Sequence, residues 1–421
     1  MLKSLHSRRA VLKSLLGGSS LLALSPTAPA FLGRTALAAR SNRAQGDKVL
    51  VVVQLAGGND GLNTIVPYAD DLYAKNRLTL RLPASKLHRI DALLGFHPRM
   101  EAFAKLFDEG LLTVVQGVGY PNPNGGHFES MHIWQTADLS IHGETGWIGR
   151  TVDHNAGSRL GDTPAAFVGQ IRRPFTLNAA RAIIPAIRSL DDCLVHEPGT
   201  FGPPDLHPLI SAAEAPRGNA PFLDFLQKTT LSAYHDSQTI ERAAASASPG
   251  EGDYPPLLLA KSLRLVAQLI RADVGLRIIY TELGGEEPGG FDNHANQADN
   301  HAALLHHLSE SVSAFVRDLK RDGLLDRVLL MTFSEFGRTV RENGRRGTDH
   351  GSAAPLFLAG GKVTGGLIGP HPKLSENEGG DGLKHHTDFR RVYATVLDRW
   401  LGIDSVPVLG ARFEPVGVLR T

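Results

Sequence analysis

The chain contains little cysteine and almost no net charge, and each shortage excludes a class of protein. Cys193 is the only cysteine among 421 residues, which excludes both a disulfide framework and a zinc site made of cysteine thiolates. The 44 lysines and arginines nearly balance the 43 aspartates and glutamates, so charge gives no indication of nucleic-acid binding. Of the 18 histidines, those beside carboxylates in loops are the candidates for function.

A long apolar run is missing from the N-terminal segment. The apolar stretch at residues 15–24 is interrupted by Gly17 and Gly18, so it is too short to span a bilayer comfortably. It follows the pair Arg8-Arg9 and precedes small residues at 36–38, an arrangement typical of a cleaved twin-arginine export signal. An uncleaved membrane anchor is the alternative.

We predict a signal peptide over residues 1–38, a linker over 39–47 and one domain over 48–421. The signal implies the twin-arginine translocase as export partner, and a periplasmic or secreted mature protein without a stable membrane span. The leader carries five basic residues and no acidic one. Its removal leaves acidic residues in excess, which makes a nucleic-acid partner still less favoured.

Apolar runs alternate with amphipathic segments along this domain. The continuous apolar runs, typical of strands covered on both faces, are 49–55, 112–116, 276–281, 328–333 and 356–359. The segments with helical spacing are 98–109, 221–247, 257–273, 298–322 and 389–401. This alternation predicts an α/β fold with a mostly parallel sheet. Residues 150–220, rich in Pro and Gly, are predicted to form an irregular insertion or cap near the site.

Acids and histidines follow several of the predicted strands. Ligands bind at the carboxyl ends of parallel strands, and carboxylate and imidazole groups suit hard and borderline metal ions. The sequence therefore predicts one metal site at one edge of the sheet. Its candidate ligands are Asp60, Asp292, His294, Glu335, Asp349 and His350.

For several of these residues a structural role is the alternative to a functional one. The glycine-rich segment at 57–61 also suits a turn in which Asp60 serves only turn geometry, and it lacks the spacing of a dinucleotide or P-loop fingerprint. Asp292 also suits a helix cap. Arg338 is a candidate for pairing with an anionic substrate group, and a salt bridge to Glu335 or Glu342 is its alternative.

A further segment carries candidates for the chemistry itself. His127 and Ser130 follow a strand and a loop rich in Pro, Asn and Gly, and they open a predicted helix. The N-terminus of a helix at this position suits an anion. We therefore predict that His127, Ser130 and Arg338 take part in catalysis.

Taken together, the motifs resemble a known bacterial family. They are Gly57-Gly58-Asn59-Asp60-Gly61-Leu62-Asn63-Thr64, Tyr120-Pro121-Asn122-Pro123, His127-Phe128, Phe291-Asp292-x-His294, Thr332-Phe333-Ser334-Glu335-Phe336-Gly337-Arg338 and Gly347-Thr348-Asp349-His350-Gly351. Their order, from about residue 48 to 402, is similar to that of the domain-of-unknown-function 1501 family. That family of twin-arginine-exported proteins is grouped with the alkaline phosphatase and sulfatase superfamily.

The resemblance implies a doubly wound α/β core with helices on both faces of the sheet. It further implies one or two divalent ions, Zn, Mn, Mg or Ca, that act on a small phosphate or sulfate ester. By resemblance Asp60 is the metal aspartate of the first strand, and Asp292 and His294 are the mid-chain metal pair. Glu335 and His350 correspond to the later acid and histidine.

Two departures from the family pattern leave the activity open. Gly126 stands where the family commonly has a serine resembling a nucleophile, and Ser130 lies one helical turn further on. Asp292 and His294 are also closer together in the chain than is usual. Either water activated at the ion attacks the ester directly, or the protein is a non-catalytic binding or assembly protein on a hydrolase-like scaffold. A metal-storage role is a third interpretation of the histidine count.

Overall fold

The computed structural model describes residues 48–155, 165–169, 173–182, 184–189, 254–284 and 290–420. The predicted signal peptide, the predicted linker and the predicted helix at 221–247 lie outside the described residues. Within this part of the chain, no helix is both long and apolar enough to cross a membrane.

A nine-stranded sheet lies at the centre of the described residues. In spatial order its main strands are β11 (Gly366–Ile368), β5 (Leu112–Gly119), β10 (Ala354–Gly360), β9 (Val328–Ser334), β1 (Val49–Leu55), β8 (Ile278–Leu283), β6 (Ala165–Val168) and β7 (Ala186–Ile187), and β14 (Thr387–Asp388) pairs with β5. β1 is parallel to both β8 and β9, whereas β10 is antiparallel to β5 and β9. The prediction of a mostly parallel sheet is confirmed.

Helices cover both faces of this sheet. The helices are α1 (Gly61–Thr64), α2 (Asp71–Asn76), α3 (Glu101–Asp108), α4 (His127–Thr136), α5 (Trp147–Asn155), α6 (Leu258–Arg271), α7 (Gln297–Arg321), α8 (Phe389–Thr395) and α9 (Ser405–Leu409), and a π-helical segment (Val396–Leu401) continues α8. Alternate residues of β1 point to opposite faces, as in any strand. Val51 packs in the core formed with α3, α6 and α7, whereas Val52 packs in the core formed with α4, α5 and α8. The predicted two-sided fold is confirmed.

Two smaller sheets complete the described fold. One consists of β2 (Ile65–Val66), β3 (His88–Arg89) and β4 (Gly95–Phe96), and the other of β12 (Asn377–Glu378) and β13 (Gly382–Leu383).

The structure differs from the expectation of an irregular insertion at residues 150–220. Within that range β6 is parallel to β8 and β7 is parallel to β6, so both extend the central sheet at one edge. The four residues of β6 are buried. A run of this length is too short for a periodic pattern, which is why the sequence did not reveal it.

The topology brings three loops to the same edge of the sheet. β1 lies between β8 and β9 and is parallel to both, so the carboxyl ends of all three strands meet. The loops that leave these ends carry Asp60, Asp292 and Glu335. Whether they form one site depends on the local geometry.

Candidate metal centre

Four side chains converge at this edge of the sheet: His127, Asp292, His294 and His350. Asp292 lies at their centre. Its Oδ1 is 2.9 Å from His294 Nε2 and 3.2 Å from His350 Nε2, and its Oδ2 is 3.4 Å from His127 Nε2. The Nε2 atoms of His294 and His350 are 2.9 Å apart.

Each of the three imidazoles is held through its other nitrogen. The Nδ1 contacts are His127 to Glu335 Oε1 at 3.0 Å, His294 to Asp349 Oδ1 at 3.0 Å, and His350 to the Gly125 carbonyl oxygen at 2.6 Å. With the proton of a neutral ring on Nδ1, facing the outer oxygen, its Nε2 would be free to coordinate a cation beside Asp292. Histidine ligands of metals are usually oriented in this manner.

Glu335 fixes His127 from a buried position. Its Oε1 also accepts from the Gly57 N–H at 2.8 Å, and the Ser334 hydroxyl lies 3.2 Å from Oε2. The hydrogen bond from His127 to Glu335 raises the pKa of His127, which makes the ring a better electron donor. Phe336 stacks on the His350 ring at a centroid distance of 4.6 Å.

Gly57 allows the loops after β1 and β8 to approach closely. Its φ of +108° is in a region that side-chain-bearing residues rarely adopt, and a Cβ at this position would lie 2.5 Å from the Asp292 backbone nitrogen. A glycine is therefore required here, because it lets the backbone of one loop support the other.

Arg338 holds Asp292 in place through a buried guanidinium. Its side chain is completely buried. It donates to the carbonyl oxygens of Gly57, Gly58, Phe291 and Thr348 and, at 2.7 Å, to Asp292 Oδ1. Burial alone would raise the pKa of Asp292, but the hydrogen bond and charge of Arg338 outweigh it and lower that pKa to about 2. The guanidinium of Arg338 is therefore engaged by these acceptors, and its predicted contact with an anion stays a prediction.

Asp60 lies apart from the cluster of converging side chains. The guanidinium of Arg77 donates from Nη1 to Asp60 Oδ2 at 2.5 Å and from Nη2 to Oδ1 at 2.9 Å. Gln297 Nε2 adds a third donor to Oδ2 at 2.5 Å. Burial would raise the pKa of Asp60, but Arg77 lowers it to about 2. Its role as a metal ligand stays a prediction, and both of its oxygens already accept hydrogen bonds.

Ser130 is buried beneath the centre. Its hydroxyl donates to the Glu335 carbonyl oxygen at 2.5 Å and lies 2.7 Å from the Tyr120 hydroxyl. Through these contacts Ser130 joins α4 to the end of β9, and its predicted part in catalysis stays a prediction.

The structure places Asp292, His294 and His350 together as predicted, with Glu335 and Asp349 directly behind the histidines. His127, predicted as a catalytic residue, stands among the converging groups. Arg77 and the Gly125 carbonyl were not predicted from the sequence. The position of Gly125, two residues before His127, was a usable signal, but nothing local marks Arg77.

The converging groups fit a divalent ion. His127, Asp292 and His350 offer ligand atoms that all lie within 4.8 Å of one another, and imidazole nitrogens with a carboxylate oxygen form a donor set typical of zinc and related metals. Metal–ligand bonds of about 2.0–2.1 Å place neighbouring ligand atoms about 3.3 Å apart in a tetrahedral site, and the contacts around Asp292 span 2.9–3.4 Å. Among the described residues, His127 Nε2 is buried without a hydrogen-bond partner. The Nε2 atoms of His294 and His350 lie 2.9 Å apart, so they would share either a cation or a proton.

Comparison with known proteins gives a family and a set of similar structures. The chain is similar to the periplasmic domain of EptC from Escherichia coli, in a structure with Zn (11% identity, 76% and 74% of the two chains covered, TM-score 0.33). It is also similar to phosphoethanolamine transferase A of Neisseria meningitidis (10%, 76% and 78%, 0.36) and to the lipoteichoic acid synthase LtaP of Listeria monocytogenes (10%, 78% and 69%, 0.33). No curated protein sequence matches.

A family model described as "Protein of unknown function (DUF1501)" matches residues 225–409. This range includes Asp292, His294, Glu335 and His350, which form or support the candidate centre. The predicted resemblance to the domain-of-unknown-function 1501 family is therefore confirmed over residues 225–409.

Proposed function

We propose that the protein is an exported, metal-dependent hydrolase of phosphate or sulfate esters. The observation that carries the proposal is the convergence of three Nε2 atoms on the Asp292 carboxylate, with every Nδ1 held by an outer acceptor. A divalent ion bound there would polarise an anionic ester and lower the pKa of a water molecule. Export rests on the twin-arginine pattern of the sequence.

The residues of the chain divide into ligands and supports. His127, Asp292, His294 and His350 would hold the ion. Glu335 and Asp349 fix two of the rings, and Arg338 fixes Asp292 in its ionised form. A metal ligand must be deprotonated, and a pKa of about 2 keeps Asp292 ionised at neutral pH.

Charge around the centre supports an anionic substrate. Asp292, Glu335 and Asp349 contribute three negative charges and Arg338 contributes one positive charge, so a divalent ion would neutralise the set. A loop at its rim then supplies a positive field through Arg341, Arg345 and Arg346, all of them exposed. None of these three guanidinium groups forms an ion pair with another described residue.

The basic loop is joined directly to the centre. Asn343 Nδ2 donates to the His294 carbonyl oxygen at 3.0 Å and to Asp349 Oδ1 at 3.1 Å. The charge of Arg345 contributes to the lowering of the Asp349 pKa, after the larger effect of the hydrogen bond from His294. We propose that these rim arginines, rather than Arg338, attract the anionic group of the substrate.

The attacking group in this proposal is water. Ser130 is buried and its hydroxyl is engaged, and position 126 offers no side-chain oxygen. Hydrolysis would then break the bond between the ester oxygen and phosphorus or sulfur. Water supplies the new oxygen of the acid, and its proton passes to the leaving alcohol.

Metal analysis of the exported protein tests the centre. We expect a bound divalent ion in the wild type, and its loss in the His294→Ala and His350→Ala variants. The exposed His142 provides the control, because its replacement by alanine should leave metal content unchanged. A dialysed and remetallated protein that retains no divalent ion would overturn the proposal.

A second candidate is a non-catalytic binding protein on the same scaffold. Gly126 and the buried Ser130 favour it, because neither position presents an exposed nucleophile beside the centre. Phosphomonoesters, phosphodiesters and sulfate esters, each assayed with Zn, Mn, Mg and Ca, separate the two. Turnover that disappears together with the metal supports the hydrolase, whereas bound metal without turnover of any ester supports the binding protein.

A further inference from the structure

The pair formed by Asp60 and Arg77 is unusual for its depth. The side chain of Arg77 is 0% exposed and that of Asp60 is 2% exposed. The two parallel contacts, at 2.5 and 2.9 Å, form the two-pronged geometry in which a guanidinium binds a carboxylate most strongly. The guanidinium cannot lose its proton in a protein. A fixed positive charge therefore lies directly against the Asp60 carboxylate.

This charge stands where a metal ion bound by Asp60 would stand. Arg77 uses both Asp60 oxygens, and Gln297 uses Oδ2 a second time. A divalent ion at Asp60 would have to displace these donors or lie within a few ångströms of the guanidinium, where two positive charges repel strongly. The cation bound to Asp60 is therefore the guanidinium group of Arg77.

The same pair is connected to the loop that carries Asp349 and His350. Gln297, which donates to Asp60, accepts through Oε1 from the Thr348 hydroxyl at 2.6 Å. On the other side, Arg77 Nη2 donates to the Thr339 carbonyl oxygen at 2.9 Å. The Thr339 N–H donates to the Asp349 carbonyl oxygen at 3.0 Å, and the Thr339 hydroxyl accepts from the Asp349 N–H at 3.1 Å. The loop is thus held on both sides.

We propose that Arg77 replaces a second metal ion, so that the centre holds one ion and Asp60 acts as a positioning residue for the His350 loop. The count of one ion rests on the proposed function, since it assumes that the four converging residues bind metal. The positioning role rests on the chain of hydrogen bonds from Asp60 through Gln297 to Thr348. Both parts differ from the family-based expectation that Asp60 is itself a ligand.

Metal content and metal affinity of the Asp60→Asn variant test this inference. We expect one ion per chain in both wild type and variant, with the dissociation constant for Zn²⁺ raised about tenfold, as is typical when a support of the ligands is lost. The visible spectrum of the Co²⁺-loaded protein should keep its band positions, because the ligands are the same. Asp71→Asn, at an exposed position in α2, is the matched control and should change neither quantity.

The possible outcomes are distinct. Two ions in the wild type, or loss of an ion or a changed Co²⁺ spectrum in Asp60→Asn, would overturn the inference while leaving the proposed function intact. An unchanged dissociation constant would overturn the positioning role. A wild type without any ion would overturn the proposed function and the one-ion count with it. If Asp60→Asn does not fold, the double variant Asp60→Asn/Arg77→Met, which removes both charges, takes its place with the same expected count.

Discussion

Asp60 and Asp292 follow neighbouring parallel strands, and an arginine binds each of them, yet they differ in what remains free. Arg77 and Gln297 use both oxygens of Asp60, which is 2% exposed. Arg338 uses only Oδ1 of Asp292, which is 42% exposed and lies among three imidazoles. A carboxylate at a strand end is thus a ligand only where its neighbours leave it an open side. An arginine can leave one carboxylate oxygen free, as Arg338 does, or engage both oxygens, as Arg77 does.

The largest effect should come from breaking the buried ion pair between Asp60 and Arg77. Arg77→Met leaves the Asp60 carboxylate buried without its counter-charge, and we expect the free energy of unfolding to fall by about 3–5 kcal/mol. Chemical denaturation measures this loss. The double variant Asp60→Asn/Arg77→Met should recover much of it, because no uncompensated charge remains. Equal destabilisation by the single and the double variant would show that the pair does not act as a unit.

Replacement of Asp292, the more exposed of the two aspartates, should affect metal binding more than stability. Asp292→Asn removes the only carboxylate among the converging groups, so we expect at least about a 100-fold loss of metal affinity. Its cost in stability should be smaller than that of Arg77→Met, because the buried guanidinium of Arg338 keeps its four carbonyl acceptors and can still donate to the asparagine oxygen. Elemental analysis and denaturation on the same samples compare the two effects. Full metal content in Asp292→Asn would remove the distinction between the two aspartates.

Acid should destabilise the folded region around Asp60 through His301, whose ring contacts the neighbouring residue Asn59. Burial lowers the pKa of His301 to about 4. Below about pH 6.5 the unfolded chain binds a proton at this residue, whereas the folded chain does not until about pH 4, so acid favours unfolding across this interval. We expect this residue to contribute a loss of about 2–3 kcal/mol in the free energy of unfolding between pH 6.5 and pH 4.

The His301→Gln variant should lose this part of the pH dependence, as denaturation curves recorded at several pH values will show. His306→Gln, on the same helix and less buried, should retain it. The same acid slope in His301→Gln as in the wild type would place the proton uptake elsewhere.

The smallest effect is expected for the exposed arginines of the loop at the rim of the candidate centre. Arg345→Ala/Arg346→Ala should raise KM for an anionic ester by about tenfold with little change in kcat, because these side chains attract the substrate without touching the reacting bond. The difference should shrink as ionic strength rises. Arg412→Ala, at an exposed position in the C-terminal segment, is the control. A change confined to kcat would contradict the proposed role of the loop.

The fold was predictable because its signals are local. The apolar runs at 49–55 and 328–333 correspond to β1 and β9, and the helical spacing at 298–322 corresponds to α7. Strand ends in a parallel sheet then placed Asp292 and Glu335 at one edge. β6 escaped prediction because four apolar residues have no detectable period.

The roles within the site were less predictable, because they depend on partners distant in the sequence. No local pattern pairs Arg77 with Asp60, because Asp60 directly precedes α1 and Arg77 directly follows α2. Arg338 was expected to face an anion, but its direction is set by carbonyl oxygens of three separate loops. His127 was singled out from the sequence by its place at the start of a predicted helix, but the position of its Nε2 among other imidazoles could be recognised only in three dimensions.

The wide separation of the converging residues along the chain has a consequence for biogenesis. His127 opens α4, whereas Asp292 and His294 follow β8 and His350 precedes β10. No short peptide contains the set, so a nascent or unfolded polypeptide offers only scattered weak donors. Under the proposed function, the cellular compartment in which folding is completed would therefore be the one whose metal pool determines which ion is bound.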